Sequence, residues 1–343
     1  MKKSAFLASI VLLTAAWTSA AQTEQKSGVK VVRWIVAHDR GSSFFDELLN
    51  DFSSRVEKKS GGALKIEFIP SKASDTALDN DAYDKVLSGE DDMSQLAAGR
   101  AGVPVFDAPG VFRNYAHAEA VFNGAVGKEL LGNVATSSLG KMRGFAFAYS
   151  GGYRILVGGA PVRSIDDLKG LRMRRQTSAA RFMQGLGAKL VDLGPESRER
   201  PITGILTGAI DLEETEINRL ALVQRDHPEM VRKLKYINLT RHRMYVTAIV
   251  ANEKFLAGLS DKNRRLLTDE IATMAVAERK LSVDLEARNL KALAAGGATI
   301  VDLSKSERAR FADAAKTYMK KFPEMSATIR ELQAVVETQL ARE

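Results

Sequence analysis

Apolar and polar positions alternate along this chain in two rhythms, and the first hundred residues carry both. Val31-Val32-Arg33-Trp34-Ile35-Val36-Ala37 is β-branched and aromatic, which predicts a buried strand ended by His38-Asp39-Arg40-Gly41. Phe44, Phe45, Leu48, Leu49, Phe52 and Val56 then recur at helical spacing behind Ser42 or Ser43 as cap, and Gly61-Gly62 stops the helix. Alternation returns in Leu64 to Ile69, closed by Pro70. Strand, helix and strand in this order predict a β-α-β unit with a parallel sheet and a right-handed crossover.

The same reading continues downstream. It predicts a helix from Asp75, a short strand at Met93 to Ala97, a helix over Ala116 to Leu131 and a strand at Phe145 to Tyr149. Ser150-Gly151-Gly152 is a flexible joint where a chain can pass between lobes. Beyond it come a strand at Tyr153 to Val157, an acidic turn at Ile165 to Leu168, and a short strand with three arginines, Arg172, Arg174 and Arg175. Further strands are expected around Leu190 to Leu193, within Gly208 to Thr215 where a strand runs into a polar loop, and at Leu234 to Leu239 and Tyr245 to Ala251, the last heading back to the first lobe. From Asp261 to Ala295, behind Ser260 as cap, no glycine or proline interrupts a helical pattern that would run roughly 50 Å. Such a rod could brace two lobes at once. The expected organisation is therefore a first lobe of residues 29–150 with about 244–270, and a second of 151–243. The long helix spans 260–296, and a strand and helices over 297–343 pack on the lobes.

Composition changes the picture in three places. Lys2-Lys3, the apolar run Ala5 to Ala16 and a small-residue site near Thr18 to Ala21 read as a signal peptide over residues 1–21. The apolar run is too short to span a bilayer, so an exported, soluble, periplasmic protein is expected. The absence of cysteine excludes disulfides, thiolate metal sites and cysteine nucleophiles. Net charge is +8, and removal of the signal leaves 48 basic against 42 acidic residues. So mild a surplus can attract an anionic ligand, but no basic tail or aromatic platform points to nucleic acid.

Enzyme chemistry finds little purchase. No Gly-x-Ser-x-Gly elbow, phosphate loop or Gly-x-Gly-x-x-Gly fingerprint occurs, and His38, His117, His227 and His242 lack metal-ligand spacing. No catalytic residue, metal or cofactor is expected. Glu213-Glu214 and Glu216 are a carboxylate cluster, but neighbours on a strand face opposite ways, so only Glu214 and Glu216 can converge. Alternation likewise puts Arg172 and Arg174 on one face of their strand and Leu171, Met173 and Arg175 on the other. An arginine strand beside an interlobe joint suits capture of a carboxylate, whose two oxygens match the parallel donors of guanidinium.

Gly152-Tyr153-Arg154, the stretch Pro161 to Arg174 containing Asp167-Leu168-Lys169-Gly170-Leu171-Arg172-Met173-Arg174, Leu186-Gly187-Ala188 and Gly208-Ala209-Ile210-Asp211 occur in the order of a known family. With Ser60 to Ile66 and Lys235 to Thr240, they make most of the chain resemble the solute-binding proteins of tripartite ATP-independent periplasmic (TRAP) transporters. The resemblance implies an α/β, two-lobed periplasmic-binding-protein fold with a ligand cleft between the lobes and a long C-terminal helix contacting both. It implies that Arg174 binds the carboxylate of an organic acid and that Arg154 supports it. Thr215, where the family usually has asparagine, and Glu214 would supply polar contacts from the second lobe, with His38 and Asp39 facing them from the first. Arg175-Gln176 and Arg200-Pro201-Ile202 depart from the family's usual residues. A monomer that hands a small carboxylate to TRAP permease membrane subunits is the implied partner set. A periplasmic signalling receptor and a secreted enzyme using the cleft are the rival readings.

Overall fold

The computed structural model describes residues 28–36, 45–71, 75–175, 179–193, 203–226, 228 and 234–340. The chain runs β1 (Lys30–Val36), α1 (Asp46–Lys59), β2 (Leu64–Pro70), α2 (Asp75–Ser88), β3 (Met93–Ala97), α3 (Tyr115–Asn123), α4 (Ala125–Ser137) and β4 (Met142–Ala148). It continues as β5 (Tyr153–Gly158), β6 (Arg172–Arg174), α5 (Ala180–Gly185), β7 (Lys189–Val191), α6 (Thr203–Leu206), β8 (Leu212–Glu216), α7 (Ile217–Asp226) and β9 (Tyr236–Met244). The last part is β10 (Thr247–Asn252), α8 (Glu253–Ala257), α9 (Asp261–Ala295), β11 (Thr299–Asp302), α10 (Lys305–Met319) and α11 (Pro323–Leu340).

Two sheets result. The first has the order β2-β1-β3-β10-β4, and the second β11-β9-β5-β8-β6-β7. β1 pairs parallel with β2 across α1, the β-α-β unit the pattern predicts, and β10 returns from the second sheet to lie antiparallel between β3 and β4. The chain thus passes between the two sheets at 149–152 and 245–246, and again along α9, which leads from β10 to β11. In the first lobe Trp34, Phe52 and Val56 pack with Leu267, Ile271 and Met274 of the long helix on one sheet face, while Phe106, Phe122 and Phe147 fill the other. Each such side chain contributes roughly 1.5–3 kcal/mol by leaving water, so the helix is part of the core rather than a strap over it.

α9 is one unbroken helix of 35 residues, capped by Ser260 as expected. Its buried positions change character along its length. Apolar residues near its start give way to Glu278, Arg279, Ser282 and Glu286 where it passes the crossovers, and Leu293 joins the second lobe's core. Glu278 accepts from Gln95 (2.7 Å) and Ser150 (3.1 Å), Arg279 donates to Glu119 (2.8 Å) and to the Phe147 carbonyl (2.8 Å), and Ser282 donates to the Tyr149 carbonyl (2.8 Å) while its own carbonyl accepts from Asn218 (3.0 Å). The crossover strands end here with free backbone groups, and buried polar groups must be satisfied.

Three local expectations change. α1 starts at Asp46 with Phe45 at its cap position, and the expected caps Ser42 and Ser43 lie outside the described residues. The helix expected over Ala116 to Leu131 is two, because Gly124 is extended (ψ 179°), a joint that only glycine fits, since a β-carbon there would sit 2.7 Å from the Ala120 carbonyl oxygen. β9 does not end at Leu239 but runs to Met244 through the charged run Arg241-His242-Arg243.

Candidate functional site

The arginine strand is positioned by its own entry. Ser164 and Asp167 close a capping box around the turn Ile165–Leu168, whose Leu168 is buried, and Gly170 (φ +81°) turns the chain into β6. Met173 then faces the core and is fully buried, while Arg172 and Arg174 face the other way, as alternation requires. β6 lies parallel to β8, with Met173 opposite Leu212. Arg172 is half-exposed and fixed by Asp211, through its backbone N–H (2.8 Å) and its guanidinium (2.6 and 3.1 Å). Arg174, the last residue of β6, is 8% exposed. Its Nε donates to Oε1 of Glu213 (2.9 Å), and its Nη2 lies 2.8 Å from the same oxygen.

The next residue on β8 serves the opposite face. Arg154 pairs across with Glu216, and its guanidinium donates to Glu214 (3.2 Å) and bonds Glu216. Glu214 also accepts from Arg243 Nε (2.9 Å) and lies 3.3 Å from His242 Nε2, whose other ring nitrogen is 2.9 Å from the Thr240 hydroxyl. Two consecutive residues of a regular strand cannot both reach one carboxylate. A bulge in β9 lets them: two steps along β5, from Arg154 to Leu156, match five along β9, from Arg243 to Asn238. Arg241 takes the left-handed conformation there (φ +41°). The bulge also touches the first lobe, where the Gly110 N–H donates to the His242 carbonyl (2.9 Å) and Arg243 approaches Asp107 (3.6 Å).

The electrostatics of the two faces differ. Burial pushes the Glu213 carboxyl up to about 7, and the single Arg174 guanidinium does not bring it back. Burial also pushes Glu214 up, but Arg243, Arg154 and the His242 hydrogen bond together outweigh it and hold it well below the usual range. His242 is pushed down by burial and by the two arginines despite Glu214, which favours a neutral imidazole. Oε2 of Glu213 and Oε2 of Glu214 are buried and lack a hydrogen-bond partner among the described residues.

Of the residues singled out from sequence, Arg174, Arg154, Glu214 and Thr215 all lie on or against β8: Arg154 is opposite Glu216 near the crossovers, and Arg174 closes β6 level with Glu213. The two arginines do not converge: each is held by its own carboxylates, on opposite faces of β8. Thr215 is 4% exposed and lies opposite Ile155, on the Glu213 side by alternation. His38 and Asp39 lie outside the described residues. Glu214 and Glu216 converge, as strand alternation predicts, and meet on Arg154. Sequence reasoning missed Glu213 as the partner of Arg174, and Arg243 and His242 as partners of Glu214. The available signal was the run Arg241-His242-Arg243 beside a predicted strand, since charges inside a sheet must be paired. Gly151 (φ +96°) and Gly152 (φ +89°) pass under this network, where a side chain would run into Glu216 or into Tyr115 and Glu286.

In shape, the chain is similar to a TRAP periplasmic solute binding protein from Ochrobactrum anthropi, with a TM-score of 0.78 and 22% identity, covering 92% of this chain and 97% of that one. The sugar acid binding protein DctPAm from Advenella mimigardefordensis, solved in complex with galactonate, matches with a TM-score of 0.75 and 20% identity, covering 90% of this chain and 98% of its own. By sequence, the C4-dicarboxylate-binding periplasmic protein DctP of Rhodobacter capsulatus is 25% identical over 281 residues, 79% of this chain and 78% of that protein. A family model for DctP, the bacterial extracellular solute-binding proteins of family 7, matches residues 37–325. The two-lobed fold braced by a long helix is the fold of these proteins, and by the extent of that match the chain belongs to the family 7 extracellular solute-binding proteins.

Proposed function

We propose that the protein captures a small organic acid between its lobes and presents it, chemically unchanged, to the membrane subunits of a TRAP-type permease. Arg174 holds the ligand carboxylate. The observation that carries this reading is the position of that guanidinium: nearly buried, at the carboxyl end of a strand parallel to both of its neighbours. In open α/β sheets ligands sit at that end. Nη1 of Arg174 is not used by Glu213, which leaves the outer edge of the fork to take two oxygens. Arg154, already held by Glu214 and Glu216, shapes the neighbouring wall, and Thr215 lines the Arg174 side. His38 and Asp39 contribute from the first lobe.

The two sheets support the lobe division 29–150 with 244–270 and 151–243, with β11 extending the second. Closure is a hinge motion about the crossovers, and the protein works as a periplasmic monomer after loss of residues 1–21. The galactonate complex and the dicarboxylate-binding relative make sugar acids and C4-dicarboxylates the first candidate ligands. A thermal-shift series with succinate, galactonate and uncharged analogues tests this. Acids should raise the melting temperature and Arg174→Ala should abolish the rise. No shift with any acid, or an equal shift in the variant, overturns the assignment.

A further inference from the structure

Glu213 is an unusual partner for an anion-binding arginine. It is fully buried (0% exposed), and its one hydrogen-bonding partner among the described residues is the guanidinium proposed to receive the ligand. Only Oε1 is used, and Oε2 faces no donor. The other charged groups acting on it are Glu214, next along β8, and, more weakly, Arg154 on β5. Of the helices packed on β8, α6 (Thr203–Leu206) has no charged side chain, and α7 carries Arg219, Arg225 and Asp226 beyond its buried Asn218. With Glu213 ionised, Arg174 is already neutralised before any ligand arrives.

A ligand carboxylate on the outer edge of the same fork would place two buried anions against one cation. Like charges so arranged do not both stay ionised; the stable state shares one proton between them. We propose that capture of a carboxylate at Arg174 is coupled to uptake of one proton by Glu213, which makes Glu213 a positioning residue that sets the charge of the anchor. The inference rests on Arg174 being the anchor, the reading given above. It balances simply: one ligand anion and one proton enter, and the Arg174 site changes from a neutral ion pair to a neutral ion pair plus a carboxylic acid. The protonated Oε2 gains a hydrogen to donate, to the ligand or to a trapped water. By reciprocity, ligand raises the proton affinity of Glu213 and protons raise the affinity for ligand.

The single carboxylate of galactonate is ionised throughout the useful range, so any proton counted with it belongs to the protein; the second carboxylate of succinate still titrates at the acid end, so its proton count is read at the alkaline end. Binding of succinate and of galactonate is measured by titration calorimetry from pH 5.5 to 8.5 in buffers of different ionisation enthalpy. Proton uptake should climb from near zero at pH 5.5, where Glu213 already carries its proton, toward one at pH 8.5. There Kd should rise about tenfold per pH unit, the slope that one linked proton imposes. Glu213→Gln should bind without proton uptake and with a Kd flat in pH. If that variant does not fold, the infrared difference spectrum of the natural protein serves instead: a protonated carboxyl band should appear on binding at pH 8.5. Binding that needs Arg174 but takes up no proton at any pH, or uptake that persists in Glu213→Gln, overturns the coupling and leaves the anchor standing. If neither acid binds at any pH, the anchor assignment falls, and the coupling with it.

Discussion

Glu213 and Glu214 are neighbours on one strand, both buried to within 1% of full burial, yet their acidities move in opposite directions. The difference lies in the company each keeps. Glu213 has one arginine through one oxygen. Glu214 has Arg154, Arg243 and a histidine, brought together by a bulge that regular pairing would not allow. Burial alone sets no protonation state; the number of cations per carboxylate does. One face of β8 is thus a locked structural network that ties the second sheet toward the first lobe, and the other is a poised site with capacity left over.

The strongest test of that contrast compares the two amides. Glu214→Gln removes the counter-charge of two buried arginines, and breaking a buried pair in this way costs on the order of 3–5 kcal/mol. Glu213→Gln keeps an acceptor for Arg174 and relieves a carboxyl that resists ionisation, so its cost near pH 8 should be about 1 kcal/mol or less. Urea unfolding of both variants checks the order. Equal losses, or a larger loss at Glu213, would mean that the faces do not differ as described.

The pH dependence of stability separates the faces next. Glu213 and Glu278 are both pushed up by burial to about 7. Between the ordinary glutamate value and 7 the native state therefore holds protons that the unfolded chain has released. Stability falls as pH rises through that window, by ~3 kcal/mol for each group at most. Glu214 works in the opposite sense: its folded value lies below the unfolded one, so its contribution is present above about 4.5 and fades as pH drops through the folded value. The curve should be a dome with its maximum on the acid side of neutrality. Glu213→Gln and Glu278→Gln should each flatten the alkaline limb and leave the acid limb alone. An alkaline limb unchanged in both variants contradicts the assignment.

Much of this was legible in the sequence. The rod Asp261–Ala295 could be read to the residue because its cap is a serine, its end a glycine pair, and nothing between breaks a helix. Alternation assigned Arg174 and Met173 to opposite faces and made Glu214 meet Glu216. What escaped is what local pattern does not encode. The three extra residues in β9 are fixed by pairing with β5, far away in sequence, so no rule of period two could bring His242 and Arg243 to the same carboxylate. The partner of Arg174 escaped for a related reason. Its identity depends on β6 lying parallel to β8 with Met173 opposite Leu212, a register that a single strand does not announce. The break at Gly124 is a failure of a different kind, since a glycine in a helical pattern can continue the helix or, as here, end it in the extended conformation, and the local pattern does not say which.

The smallest effect should come from the other arginine of the strand, and it sharpens the comparison by showing what an ordinary ion pair does. Arg172 and Asp211 are 2.6 Å apart at closest approach, nearer than Arg174 and Glu213. Their side chains are, however, 43% and 29% exposed, against 9% and 0% for the buried pair. Water screens the first pair and already solvates both partners. Asp211 also keeps the Arg172 and Gly159 backbone contacts at the starts of β6 and β8 whether or not the guanidinium is present. Arg172→Ala should therefore leave stability almost unchanged, as loss of an exposed pair generally does. Its acid-induced thermal shift should match the natural protein's, and proton uptake on binding should be unchanged. A loss of ligand response in Arg172→Ala as complete as that in Arg174→Ala would move the anchor to the exposed end of the strand, and the buried Arg174–Glu213 pair would then be structural.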